Sequence, residues 1–124
     1  MNGATVIGDV SANITTIQRG DGPPWSIPIW ARWFQLSPDQ RSILVLNPNG
    51  NLLPDANPDQ IVATVWYIEA ATLQRVEFTL KETMNPADMP QTASHFLWLE
   101  SYHSADQGWA LALSNGKTIT ITYR

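Results

Sequence analysis

The sequence predicts an all-β fold, and three observations point to it. Nine prolines and seven glycines interrupt the 124-residue chain at short intervals. The runs between them alternate in hydrophobicity with a period of two, which is typical of strands. Helical periodicity is nearly absent, and only residues 84–91 predict a helical turn, with Pro86 at its first position. Seven to eight short strands with so little helix indicate an antiparallel β-sandwich or a small barrel.

The N-terminal third of the chain predicts an arm followed by three strands. Residues 1–12 are small and polar, and we expect them to form a flexible arm ahead of a domain that covers residues 13–124. Strands are expected at Ile14–Gln18, Ser26–Phe34 and Ser42–Leu46. The prolines, asparagines and glycine of residues 47–60 then predict turns and a loop.

The middle of the chain predicts a second pair of strands. Ile61–Ile68 is rich in β-branched and aromatic residues and is apolar on both faces, which is typical of a central strand. Residues 75–81 alternate apolar and polar side chains and predict a strand with one wet face. The connection EAATL between them has no glycine, so the sequence predicts a longer loop or a bulge there. Another strand is expected at Ser94–Glu100.

The C-terminus predicts a β-hairpin. In GWALALSNGKTITITYR, large apolar residues alternate with alanines before the turn, and isoleucines alternate with threonines after it. Asn115-Gly116 separates the two runs, and Asn-Gly is the strongest short hairpin signal because both residues tolerate positive φ.

Composition narrows the classes of function. Charged residues make up 15% of the chain, against about 25% in typical globular domains, so part of the polar, uncharged surface is expected to face a partner. The formal net charge is −4 and the seven basic residues are scattered, which argues against nucleic-acid binding. The absence of cysteine excludes disulfides and thiolate chemistry. The N-terminal residues lack the pattern of a signal peptide, so we expect synthesis in a cytoplasm without export by that route.

Arg19-Gly20-Asp21 matches the tripeptide of integrin ligands. The residues that follow are Gly22 and two prolines, and this composition is typical of a turn. The sequence therefore favours a turn over an adhesion site.

The six tryptophans divide into two groups. Trp66, Trp98 and Trp109 lie in alternating apolar runs, which favours the core. Trp30 and Trp33 differ in parity, so on a strand they would point to opposite faces and at least one tryptophan of this stretch is expected to be exposed.

Pro28 lies within the predicted strand at 26–34, and because proline cannot donate to a ladder the segment is expected to be an edge strand or to carry a bulge. A sheet margin with exposed aromatic side chains is typical of a contact surface. The candidate interface residues are Trp25, Ile27, Pro28, Trp30 and Trp33.

No catalytic, cofactor-binding or metal-binding residue is nominated. His95 and His103, with Asp106 nearby, lack a third convergent ligand, and Asp55 and Asp59 do not have the spacing of a calcium loop. No serine lies in a G-x-S-x-G turn, and the glycines are too dispersed for a phosphate-binding loop. The sequence therefore predicts a protein that is not an enzyme and has no cofactor.

A family resemblance adds to this interpretation. The segment ITTIQRGDGPPWSIPI, the turn Asn49-Gly50-Asn51, the strand IVATVWYI and the terminal Asn-Gly hairpin together resemble small immunoglobulin-like domains of bacteriophage baseplates and tail-fibre adaptors. The resemblance covers residues 13–124 at the level of pattern. It implies an immunoglobulin-like β-sandwich that joins fibres or baseplate parts through symmetric contacts.

The expected function is therefore that of a non-enzymatic structural subunit of a multi-chain assembly, located in a phage virion as part of a tail, baseplate or fibre attachment. Its expected partners are other copies of itself and other virion proteins, without nucleic acid or membrane. The alternative is a carbohydrate-binding module whose exposed tryptophans stack on sugar rings.

Overall fold

The computed structural model describes residues 3–20, 22–46 and 50–124. Within these residues the chain forms twelve strands, all paired antiparallel, and little helix. The strands are β1 (Thr5–Asp9), β2 (Ile14–Gln18), β3 (Trp25–Ile27), β4 (Phe34–Leu36), β5 (Ser42–Leu46), β6 (Leu52–Leu53), β7 (Ile61–Glu69), β8 (Thr72–Thr79), β9 (Phe96–Leu97), β10 (Leu99–Ser104), β11 (Gly108–Leu113) and β12 (Thr118–Thr122). The all-β, antiparallel prediction is confirmed. The number of strands exceeds the expected seven to eight because several strands are only two or three residues long.

Three sheets and a short strand pair make up the described part of the fold. The N-terminal sheet has the order β1-β2-β3, the central sheet β4-β5-β7-β8 and the C-terminal sheet β10-β11-β12, while β6 pairs with β9. Within each of the three sheets, neighbours follow one another along the chain, apart from the short β6. Immunoglobulin domains instead use Greek-key connections between two sheets, so the strand order here is that of successive meanders.

The central sheet is apolar on both faces. All five residues of β5 are buried, and alternate side chains on a strand point to opposite faces. Ile43 and Val45 pack with residues of the N-terminal sheet, and Leu44 and Leu46 pack with residues of the C-terminal sheet. The three sheets therefore lie as layers, with the central sheet between the other two.

The C-terminal core fills the space between the central and C-terminal sheets. Its large aromatic side chains are Trp98 and Trp109, both fully buried. The indole Nε1–H of Trp98 donates to the carbonyl of Gly50 at 2.9 Å, and Tyr123 packs edge-on against Trp109 with 4.8 Å between ring centroids. Trp66 is also buried, on the opposite face of the central sheet. The prediction that Trp66, Trp98 and Trp109 belong to the core is confirmed.

The N-terminal core lies between the N-terminal and central sheets. Its buried members are Ile17, Trp25, Ile27, Ala31, Ile43, Val45 and Trp66. Residues 5–9, expected to belong to a loose arm, instead pair with β2 from Thr5↔Gln18 to Asp9↔Ile14. Val6 packs against the N-terminal core, and the other four residues of this edge strand are exposed.

The strand expected at 26–34 is divided by its proline. β3 ends at Ile27, directly before Pro28, and the chain resumes a ladder only at Phe34. Because Pro28 has no N–H to donate, it ends the strand rather than being accommodated within it. β3 lies at the margin of its sheet, which confirms the prediction of an edge strand.

Two short helical segments connect the central and C-terminal sheets. The helical turn expected within 84–91 is a 3₁₀ turn at Pro86–Asp88. The α-helix α1 (Leu80–Thr83) was not expected, because residues 80–81 continue the alternation of β8. Thr79 is the N-cap of this helix: its N–H donates to Glu82 Oε1, as in a capping box, and its hydroxyl donates to the same oxygen. Neither segment has the length or hydropathy needed to cross a membrane, as far as the described residues extend.

The hairpin predicted at the C-terminus is confirmed. β11 and β12 pair from Gly108↔Thr122 to Ala112↔Thr118. The turn differs from the expected two-residue loop, because only Gly116 takes a positive φ, of 87°, and its N–H donates to the carbonyl of Leu113 at 3.1 Å. This is the geometry of a type I turn closed by a glycine bulge.

The β7–β8 connection is a strained two-residue turn. Glu69 pairs with Thr72, which leaves only Ala70 and Ala71 between the strands, and their φ values are 50° and 65°. The sequence predicted a longer loop or a bulge because the connection lacks glycine. Two consecutive left-handed residues are the requirement of a type I′ turn, which normally selects Asn-Gly.

Replacing both alanines of this turn with the Asn-Gly pair is expected to stabilise the protein. The double substitution Ala70→Asn with Ala71→Gly relieves the left-handed strain and should raise the free energy of unfolding by about 1–2 kcal/mol. Chemical denaturation measures the change. The matched control is Ala93→Gly, at an exposed residue without positive φ, which should lower stability; equal effects at both places would contradict the strained turn.

Candidate functional site

An apolar groove lies beside the loop that follows β3. It has a volume of about 600 Å³ and is lined by residues of the loop, of β5 and of the start of β7. The lining residues are Asn13, Ile29, Trp30, Arg32, Val45, Leu46, Ile61, Ala63 and Thr64. Because β3 ends at Ile27, the central sheet in this region is flanked by irregular chain rather than by a further strand. We refer to this feature as the Trp30 groove.

Two side chains of the β1–β2 hairpin hold the loop in place. The buried hydroxyl of Thr15 donates to the carbonyl of Ile29 and accepts from the N–H of Ala31, both at 2.8 Å. Asn13, in the left-handed region with φ 53°, accepts from the N–H of Trp30 at 2.9 Å. Three consecutive loop residues therefore have backbone groups satisfied by side chains of the hairpin. These bonds fix the position of Trp30.

Trp30 packs against the first strand and still faces solvent. A Cβ atom added at Gly8 would lie 2.6 Å from the indole Nε1, so the ring rests directly on the strand backbone where glycine leaves room. The side chain is nevertheless 40% exposed. Ile61, on the other side of the groove, is 38% exposed. Two large apolar side chains at one groove are typical of a contact surface.

Trp33 lies in a second, adjoining groove of about 380 Å³, which shares Leu46 with the first. Its indole packs against Gly50, whose φ is 66°, and it is 38% exposed. The guanidinium of Arg32 lies over the ring, 5.4 Å from the centroid, within the range of a cation–π contact. Burial raises the pKa of Tyr102, which also lines this groove, so its phenol stays neutral at physiological pH.

The lining of the Trp30 groove defines what it can bind. Arg32 is the one charged side chain among the residues that line it. The other contacts are apolar or are neutral polar groups at the rim. The groove therefore suits an apolar surface with a carboxylate or carbonyl placed to meet Arg32.

The five predicted interface residues differ in their exposure: three are exposed and two are buried. Pro28, Trp30 and Trp33 are exposed, as the interface hypothesis requires. Trp25 and Ile27 are buried in the N-terminal core, and the Nε1–H of Trp25 donates to the carbonyl of Gln40 at 3.0 Å. These two residues share a parity on β3 that points toward the central sheet, so they are not available for an interface.

Sequence reasoning missed the part of the groove that comes from the central sheet. Val45, Leu46 and Ile61 belong to strands expected from the sequence, but no contact role was assigned to them. Two features of the sequence could have indicated this role. Residues 43–46 of β5 are all apolar, and β7 begins with the apolar residue Ile61.

The other sequence candidates do not converge. Within the described ranges, no three His, Cys, Asp or Glu residues come together as metal ligands. The carboxylate of Asp59 pairs with Lys81 at 2.8 Å, and that of Asp55 accepts from the N–H of Asn57 at 2.9 Å. The Arg-Gly-Asp turn is described only in part, because Asp21 lies outside the described residues, as do residues 47–49 of the predicted turn at 47–51.

Comparison with known proteins gives no relative. No family model, curated protein or solved structure matches this chain. The functional argument therefore depends on the geometry of the chain itself.

Replacing Thr15 with valine is expected to release the loop that carries Trp30. Valine has the same shape but leaves the N–H of Ala31 and the carbonyl of Ile29 without their partner, which should cost about 2–4 kcal/mol of stability. Chemical denaturation measures this cost. The control is Thr16→Val, since Thr16 faces outward and its hydroxyl bonds only to Ser26 Oγ in the hydrogen bonds described. A cost at Thr15 no larger than at Thr16 would contradict the anchoring role.

Proposed function

We propose that this protein is a non-enzymatic structural subunit of a multi-chain assembly, and that the Trp30 groove is one of its contact surfaces. The observation that carries the proposal is the exposure of Trp30 and Ile61 at a groove whose floor is the apolar central sheet. An exposed aromatic side chain in an apolar groove is a typical anchor of a protein–protein interface.

The occupant that we propose for the groove is a second copy of the chain. The large exposed apolar side chains of the described residues are concentrated in the β1–β2 hairpin, the loop after β3 and the start of β7; they are Ile7, Val10, Ile14, Trp30, Trp33 and Ile61. A two-fold contact brings such a surface against itself, so each copy supplies the apolar partner that the other lacks.

The charges around the groove agree with a self-contact. Arg32 supplies a cation at the groove. Asp9 supplies an anion on the strand next to Gly8, and hydrogen bonds from the Ser11 hydroxyl and the Ala12 N–H hold the pKa of this carboxyl below its usual value. A two-fold axis that sets Arg32 opposite Asp9 of the second copy would pair the two charges twice.

The virion setting is part of the proposal and rests on the sequence resemblance alone. In that setting the protein joins parts of a phage tail, baseplate or fibre attachment, with other virion proteins as further partners. The low fraction of charged residues, 15%, is consistent with a chain whose surface is largely covered in an assembly.

We propose that the chain resembles an immunoglobulin-like sandwich in the packing of two of its sheets and not in its strand order. The central and C-terminal sheets enclose one core between them, as the two sheets of an immunoglobulin-like sandwich do. In this proposal the N-terminal sheet is an added layer and the meander connections are a departure from the immunoglobulin order.

A carbohydrate-binding module is the second candidate, and the two exposed indoles favour it. Trp30 and Trp33 lie on either side of Arg32 and line adjoining grooves, an arrangement in which successive sugar rings could stack. Titration with oligosaccharides separates the candidates. A blue shift or quenching of tryptophan emission at millimolar sugar, lost in Trp30→Ser, supports the module, and no response supports the assembly subunit.

Trp30→Ser is expected to weaken self-association of the purified protein. Removal of the anchor should cost about 2 kcal/mol of association free energy, and the weight-average mass in analytical ultracentrifugation should fall relative to the wild type at equal concentration. Ala93→Ser is the control, because Ala93 is exposed and belongs neither to the groove lining nor to the exposed apolar side chains named above. A Trp30→Ser protein with the mass distribution of the wild type at every concentration would contradict the proposed contact.

A further inference from the structure

The last strand of the C-terminal sheet has a free edge. Among the described strands, β12 pairs only with β11. The N–H of Leu113 donates to the carbonyl of Lys117 at 2.8 Å, and the N–H of Tyr123 donates to that of Gln107 at 3.3 Å. Hydrogen-bonded residues alternate along an antiparallel strand, so the backbone groups of the three threonines of β12 point away from β11, toward the open side.

This edge lacks the protection that the other described edges carry. β3 and β4 are three residues long, and β10 has an irregular register between Leu99 and Ser101. β8 carries Arg75 and Glu77, and β1 contains Gly8 and ends on a carboxylate. By contrast β12 reads Thr-Ile-Thr-Ile-Thr, with no charge, proline, glycine or bulge. An unprotected edge of this kind is a template for another strand.

The sequence of β12 is a palindrome centred on Thr120. We propose that β12 pairs antiparallel with β12 of a second copy about a two-fold axis through Thr120. Thr118 then faces Thr122 of the second copy, Ile119 faces Ile121, and Thr120 faces itself. The threonine pairs are the ones whose backbone groups point to the open side, so the parity of the strand matches the symmetric pairing and supplies roughly six backbone hydrogen bonds.

The side chains on both faces of the joined sheet also fit. The threonines of β12 are exposed and would form a ladder on the outer face, where like β-branched pairs are favourable. Ile119 and Ile121 face the C-terminal core. Beside them lies an open groove of about 450 Å³, which Phe78, Glu82 and Thr83 line opposite β12, and the isoleucines of the second copy would point into it.

The charges that flank the strand do not oppose this register. With the axis through Thr120, Lys117 lies opposite Tyr123 of the second copy and Arg124 lies opposite Gly116. No like charges face each other across the ladder, a placement that would be unfavourable. The chemistry of the edge therefore selects a second copy of the same strand.

This contact goes beyond the Trp30 groove and does not depend on it. The groove is lined by the β1–β2 turn, the loop after β3 and the neighbouring ends of β5 and β7, and no residue of β12 lines it. A subunit with two different two-fold contacts can extend an assembly beyond a pair, whereas a single two-fold contact closes as a dimer. The two proposals can therefore fail separately.

The test uses paired charges placed across the axis, in the full chain carrying Trp30→Ser so that the groove contact is weakened equally in every protein compared. We expect the Trp30→Ser protein to form a dimer of twice 13.8 kDa in sedimentation equilibrium. Adding Thr118→Lys with Thr122→Lys sets like charges opposite each other and should raise the dissociation constant by at least about tenfold. Adding Thr118→Lys with Thr122→Glu sets opposite charges face to face and should keep it within about threefold.

The two double variants alter the same exposed positions, so a difference between them reports pairing rather than folding. Circular dichroism checks the fold of each, and Thr72→Lys, at an exposed threonine of β8, is the single-charge control. A Trp30→Ser protein of 13.8 kDa at all concentrations would overturn the proposal. So would equal dissociation constants for the two double variants, since that would exclude the register centred on Thr120.

Discussion

The burial of the central sheet on both of its faces is the constraint on which the rest of this structure depends. β5 has no polar face to present to water, because Ile43 and Val45 point one way and Leu44 and Leu46 point the other. A sheet of this kind is stable only with a cover on each side. The N-terminal and C-terminal sheets supply the two covers, and the order of layers follows from that requirement.

The surfaces proposed for contact lie where the two outer sheets end. On one side, proline ends β3 and the chain continues as a loop held by Thr15 and Asn13, which leaves the apolar groove at Trp30. On the other side, the C-terminal sheet ends in a strand whose outer edge is neither paired nor charged among the described residues. Both surfaces are therefore consequences of layering three small sheets in a chain of this length, and neither requires a catalytic or cofactor site.

Local pattern predicted much of this, and non-local packing accounts for what it missed. The sequence pattern identified β2, β5, β7, most of β8, the buried tryptophans and the terminal hairpin, because these depend on neighbours along the chain. The same pattern cannot say which sheet a strand joins, so the three layers and the pairing of residues 5–9 with β2 were not foreseen. The sequence predicted only part of the groove. Trp30 was expected at a contact surface because the chain has many tryptophans and because Trp30 and Trp33 differ in parity. Ile61 and Val45 are distant in sequence and are brought to the groove by the fold. The turn at Ala70-Ala71 carries no sequence signal, since the strands on either side impose it.

The most direct measurement of the layered account is the folding of a chain that begins at residue 28 and lacks the N-terminal sheet. If that sheet is the cover of one face, its loss exposes Ile43, Val45 and Trp66, and the shortened protein should lose its cooperative thermal transition and bind a hydrophobic dye. If residues before 28 are instead dispensable to a sandwich made by the other two sheets, the shortened protein will remain soluble and unfold cooperatively near the transition of the full chain. That result would contradict the account.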